Sequence, residues 1–165
     1  METTKWTFSD LVKPDYVVVD LKAATKEEAL RIMAERLVQE GYCKESFVQG
    51  ILDREQHHPS ALPMPGYKIA IPHTDASHVN RSVIYFARLS QPLEFLSMGS
   101  MDEVLQVPMI SMLALKEKER IGDLLETLIT AYQDEEVLNK IMDAETSQQV
   151  FRILQAKVEE SEQSL

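Results

Sequence analysis

Four histidines, at positions 57, 58, 73 and 78, gather in one short stretch of a 165-residue chain, and they are its clearest chemical candidates. His73 follows Ile69-Ala70-Ile71-Pro72, so it stands just beyond a short apolar strand, where the chain emerges into a loop. In α/β sheets ligands collect at strand ends. Pro72 fixes one backbone dihedral beside the histidine. Imidazole is both nucleophilic and largely unprotonated near neutral pH, so His73 reads as a nucleophile. The alternative is an ordinary solvated histidine after a strand. A metal site is the rival reading of the cluster, with Asp75 as an added carboxylate. The histidines, however, lack i, i+4 helical spacing and a nearby thiolate pair, so no metal is expected. His57 and His58 read as solvated loop residues. Arg54-Glu55 ends a helix just before the loop. The plain reading is a solvated helix end; the functional one has Arg54 reaching a phosphate, with Ser60 donating a further hydrogen bond.

Other chemistries find no support. There is no G-x-S-x-G elbow, no phosphate-binding glycine loop and no dinucleotide fingerprint. Cys43, the single cysteine, excludes an internal disulfide and reads as structural. Seventeen basic against 27 acidic residues give a formal charge of −10. That repels phosphate backbones and anionic lipid, so neither nucleic-acid binding nor direct membrane insertion is expected. No apolar run approaches a membrane span, and a cytoplasmic protein is the expectation.

The elements that must position His73 are legible from periodicity. Tyr16-Val17-Val18-Val19 reads as a strand. Thr25 and Glu28 have capping-box spacing, and the helix behind them runs to Gly41. A second helix covers about Lys44 to Gln56, with Phe47, Val48, Ile51 and Leu52 on its buried face. The stretch 57–67 holds three prolines and a glycine, so neither helix nor strand should run through it. Ile69–Ile71, Ser82–Leu89 and Leu105–Leu115 read as buried strands, with Pro108 at a strand start or bulge and Leu93–Phe95 as a short edge strand. Helices follow over 117–131, 134–142 and 147–157, and the polar tail 158–165 should fray. The expected fold is α/β, a three-layer α/β/α sandwich with a mixed, mostly parallel central sheet of about five strands flanked by helices.

Arg54-Glu55, a gap, and then Ile-Ala-Ile-Pro-His at 69–73 resembles the signature of the IIA components of the sugar phosphotransferase system, in the fructose–mannitol–galactitol (type 2) family. The order of elements is similar over roughly residues 10–155, so 1–165 reads as a single IIA domain. The longer gap and the run His73–Leu89 look most like the galactitol-type branch. The resemblance implies that His73 accepts a phosphoryl group from the phosphocarrier protein HPr. It would pass that group to a cysteine of the cognate IIB component, and so act indirectly on the membrane IIC permease, with no cofactor. Arg54, Ser60 and His78 would stabilise the phosphoryl group, with Arg120 a further possibility; a backbone carbonyl or Asp75 would fix the imidazole tautomer. Many relatives carry a second histidine near 120, where this chain has Arg120 or Ile121. An apolar or mixed docking patch is expected around His73, with Leu62 and Met64 at its rim, on a monomeric protein. The alternatives are a regulatory module whose His73 phosphorylation is sensed by a partner and, distantly, a metal-dependent hydrolase.

Overall fold

The computed structural model describes residues 6–165. The first strand, β1 (Val12–Leu21), leads into helices α1 (Lys26–Gln39) and α2 (Ser46–His57). Two very short strands follow, β2 (Ala61–Leu62) and β3 (Ile69–Ala70), then a long hairpin of β4 (Val83–Ser97) and β5 (Ser100–Ala114). Helices α3 (Ile121–Tyr132), α4 (Glu135–Asp143) and α5 (Ser147–Gln163) complete the chain.

Local chemistry accounts for most boundaries. Thr25, Asp134 and Thr146 accept backbone N–H bonds at the starts of α1, α4 and α5, each cap contributing about 1 kcal/mol. Gly41, at φ +84°, closes α1: its N–H reaches the Val38 carbonyl and the Tyr42 N–H reaches that of Leu37. That pair of bonds requires a left-handed residue, which glycine adopts without steric cost.

The sheet has five strands and is mixed, with β1, β4, β2, β3 and β5 as successive neighbours. The pairings β1–β4, β2–β4 and β3–β5 are parallel, while β2–β3 and β4–β5 are antiparallel. Because β4 and β5 also pair directly, strands β4, β2, β3 and β5 form a closed ring of pairings. Side chains alternate between two cores. Tyr16, Ala70, Tyr85, Ala87 and Ile110 face α1 and α2. Val17, Ile69, Ile71, Ile84, Phe86 and Met109 face α3, α4 and α5. Period-two alternation with both faces apolar is the pattern of a sheet covered on both sides. No described helix is long and apolar enough to cross a membrane.

Three expectations need correction. Leu93–Phe95 is no separate edge strand but the outer half of β4, paired residue by residue with Leu105–Val107. The ladder breaks between Arg88/Met109 and Leu93/Val107, which lets Pro108 lie inside β5 without an N–H to donate. A strand does enter the proline-rich stretch: Ala61-Leu62 fits between Pro59 and Pro63. Finally, the tail does not fray. Val158 and Ser161 continue the buried stripe of Val150 and Leu154, and the Glu162 carboxylate accepts the Phe8 N–H at 2.9 and 3.0 Å.

Candidate functional site

His73 is fastened through its neighbours on both sides. The Ile71 N–H donates to the Ser60 carbonyl at 3.1 Å, and the Leu113 N–H donates to the Pro72 carbonyl at 2.9 Å. His73 itself pairs as a bridge with Leu113, which extends β3 alongside β5. Its Nδ1 lies 2.9 Å from the Ile71 carbonyl oxygen. A carbonyl can only accept, so Nδ1 carries the proton and Nε2 keeps its lone pair. Of the two tautomer-fixing partners expected, the backbone carbonyl holds the ring. Burial lowers the imidazole pKa below its ordinary value, and the nearby Arg54 charge lowers it further. The neutral ring is therefore favoured, with the Nε2 lone pair unengaged.

Two clefts meet at this ring. The larger, of about 430 Å³, is lined by Arg54, Ser60, His73, Met98, Met101 and Leu125, and also by the exposed His57 and His58. The smaller, of about 220 Å³, shares Arg54, His73 and Leu125 and adds Thr74, Asp75 and Lys118. The Arg54 Nε is buried and has no hydrogen-bond partner among the described residues. Arg54 as a residue lines both clefts, and a guanidinium fork matches the oxygens of an anion such as phosphate.

Glu55 was read in sequence as part of a solvated helix end and of the family signature, with no role of its own; the structure buries it, at 3% exposure. One carboxylate oxygen accepts the Ser60 N–H at 2.9 Å and the other accepts the Ser60 hydroxyl at 2.6 Å. Burial pushes its carboxyl pKa up, and the two Ser60 bonds oppose that shift. The pair clamps the loop between α2 and β2 against the strand that carries His73. A signal existed: Phe47, Ile51 and Glu55 are spaced i, i+4, i+8, so Glu55 continues the buried stripe of α2. The clamp also changes the expectation for Ser60, whose hydroxyl proton is engaged by Glu55 rather than free for a phosphate.

Other sequence candidates separate in space. His78 lines neither cleft; its Nδ1 lies 2.7 Å from the Ser46 hydroxyl and its ring packs over Gly50. Arg120 is turned away, its guanidinium stacked on Trp6 and Phe8 with centroid distances of 3.9 and 4.5 Å. The rim also differs from expectation. Leu62 is buried and Met64 packs on the same core, while Met98 of the β4–β5 turn and Met101 at the start of β5 border the cleft. Cys43 is buried, its thiol pKa pushed up to about 12, as suits a structural cysteine. No group of three or more His, Cys, Asp or Glu side chains among the described residues could hold a metal ion.

The chain is similar to known proteins over nearly all of its length. Residues 10–157 match the family described as phosphoenolpyruvate-dependent sugar phosphotransferase system, EIIA 2. It is 32% identical over 133 residues to the mannitol-specific EIICBA component of Escherichia coli, covering 81% of this chain but only 20% of that protein. A nitrogen regulatory protein of Bradyrhizobium diazoefficiens is 26% identical and is covered over 93% of its length. Among solved structures, the E. coli complex of mannitol enzyme IIA with phosphorylated enzyme IIB matches with a TM-score of 0.67 at 27% identity, over 84% of this chain and 94% of that one. The galactitol-specific EIIA component of E. coli is also similar, at 23% identity over 64% of this chain, so the galactitol branch expected from sequence finds only weak support. The chain belongs to the EIIA 2 family of the phosphoenolpyruvate-dependent sugar phosphotransferase system.

Proposed function

We propose that this chain is a phosphohistidine carrier: Nε2 of His73 accepts a phosphoryl group from phospho-HPr and passes it to a cysteine of a IIB component during uptake of a sugar or polyol. The observation that carries this reading is the neutral imidazole with Nδ1–H engaged by Ile71 and Nε2 free, beside the unpartnered Nε of Arg54.

The chemistry balances without a metal or nucleotide. The N–P bond of the donor phosphohistidine breaks as a new N–P bond forms at Nε2 of His73. The acceptor ring gains positive charge, and its Nδ1–H, held by the Ile71 carbonyl, shares that charge. In the second transfer that N–P bond breaks, an S–P bond forms at the IIB thiolate, and His73 leaves as neutral imidazole. The proton on Nδ1 never has to move. Phosphoryl transfer needs positioning and charge stabilisation above all, and Arg54 supplies a fork suited to phosphoryl oxygens.

The test is intact-mass analysis of the wild type and His73→Ala after incubation with phosphoenolpyruvate, enzyme I and HPr. An acid-labile phosphoryl adduct on the wild type alone is the expected result. An adduct on both proteins, or on neither, overturns it. A second reading is favoured by the match to nearly the whole of a nitrogen regulatory protein: a regulatory module whose His73 phosphorylation is sensed by a partner. Rapid phosphoryl loss to a IIB cysteine separates the carrier from that alternative, which predicts a stable phosphoprotein.

A further inference from the structure

The smaller cleft has a second cation, and the fold decides which one it is. The turn Lys118–Arg120 leads into α3 and offers two basic side chains two residues apart. The sequence reading names Arg120 and passes over Lys118. In the structure Arg120 is withdrawn: it stacks on Trp6 and Phe8, and its Nη1 donates to the Trp6 carbonyl at 3.2 Å. Lys118 instead lines the cleft with His73 and Arg54.

Lys118 has an exposed side chain with no role in the fold to explain it. It takes part in none of the ion pairs or side-chain hydrogen bonds among the described residues. The acids beside it in sequence do not neutralise it. Glu117 accepts the Ser82 hydroxyl at 2.9 Å, and Glu119 lines neither cleft. The one carboxylate that lines the smaller cleft is Asp75. Two cations against one carboxylate make this cleft locally positive on a chain of formal charge −10. A local charge opposite in sign to the whole is what a dianionic phosphoryl group requires.

We propose that Lys118 is the second cation of the phosphoryl site, placed across the smaller cleft to share with Arg54 the charge of a phosphoryl group on His73. The inference rests on His73 as the acceptor. Its consequence is on lifetime. In the loose transition state of P–N cleavage the phosphoryl oxygens lose negative charge toward metaphosphate. A cation beside those oxygens therefore stabilises the phosphohistidine more than the transition state for hydrolysis, and slows spontaneous loss. The exposed ammonium is screened by water, so the effect on the rate is about threefold.

The experiment loads phosphoryl groups chemically with phosphoramidate, a small donor that needs no protein partner, so docking plays no part. Loss of the adduct at fixed pH is followed by intact mass for wild type, Lys118→Met, Lys118→Arg and, as a charge control, Lys116→Met. Lys116 is exposed and lines neither cleft. The expected result is a half-life shortened about threefold in Lys118→Met, restored in Lys118→Arg and unchanged in Lys116→Met. Equal half-lives in wild type and Lys118→Met overturn the proposal, as does equal shortening in Lys116→Met, which would mark a general charge effect. The adduct on His73 is the part of the wild-type signal missing from a His73→Ala control; equal loading of the two proteins overturns the carrier reading itself and this inference with it.

Discussion

Arg54 and Arg88 are two partly or fully buried guanidinium groups in one small fold, and they are treated in opposite ways. Arg88, on β4, is 9% exposed, and its Nη1 lies 2.6–3.3 Å from the carbonyls of Ile141, Met142 and Ala144. Those carbonyls lie at and just beyond the end of α4, where the Ile141 carbonyl also accepts the Ala144 N–H at 3.4 Å; the guanidinium adds a donor to them and sits at the negative end of the helix dipole. Arg54, at the other region, keeps a buried Nε with no partner. Arg88 is surrounded by acceptors, while Arg54 is left short of them. Hydrogen-bond completeness, more than burial, distinguishes the two guanidinium groups.

The comparison can be broken most sharply at Arg88. Arg88→Met should destabilise the fold by about 3 kcal/mol, because it removes that donor from the end of α4. Urea denaturation reads that loss, and phosphoryl uptake per folded molecule should be unchanged. Arg54→Met should do the reverse: uptake at His73 falls about ten- to a hundredfold, as for loss of one preorganised charge-stabilising donor, while the urea midpoint holds. Equal behaviour of the two variants would dissolve the distinction.

The imidazole sharpens it further. Burial and the Arg54 charge both disfavour the protonated ring of His73. His73 should stay neutral as pH falls through about 6.5, the ordinary imidazole midpoint, and phosphoryl uptake should stay flat there. The unfolded chain takes up a proton in that range that the folded chain refuses, so His73 makes the fold less stable as pH drops below the unfolded value. In an NMR titration, Arg54→Met should move the His73 midpoint upward and Arg88→Met should leave it in place.

The smallest effect is expected at Gly50. A Cβ there would come within 3.2 Å of the His78 ring and the Thr74 hydroxyl. Gly50→Ala gains about 0.5–1 kcal/mol of helix propensity but crowds the loop that follows His73. Net stability should change by less than about 1 kcal/mol, with uptake reduced a few-fold.

How far the site was legible depended on whether a side chain answers to neighbours along the chain or across it. His73 was legible because Ile69-Ala70-Ile71-Pro72 encodes a strand and its end locally. Glu55 was not, because a carboxylate enters the interior only when the loop to Ser60 folds back and supplies two donors. Ser60 lines the larger cleft, but the direction of its hydroxyl is set by Glu55. His78, five residues from His73, was separated from the cleft by its bond to Ser46 on α2.

The same division runs through the fold. Apolar alternation, helix caps and glycine stops are properties of neighbouring residues, so the α/β class, the main helices and the place of His73 at a strand end followed from sequence alone. The polar tail's docking as the end of α5 depended on Phe8, more than 150 residues away in sequence. The choice between Lys118 and Arg120 depended on Trp6 and Phe8, and the buried, unpaired Nε of Arg54 on the absence of a nearby acceptor. Those are facts about partners distant in the chain, and such partners exist only once the tertiary fold has brought them together.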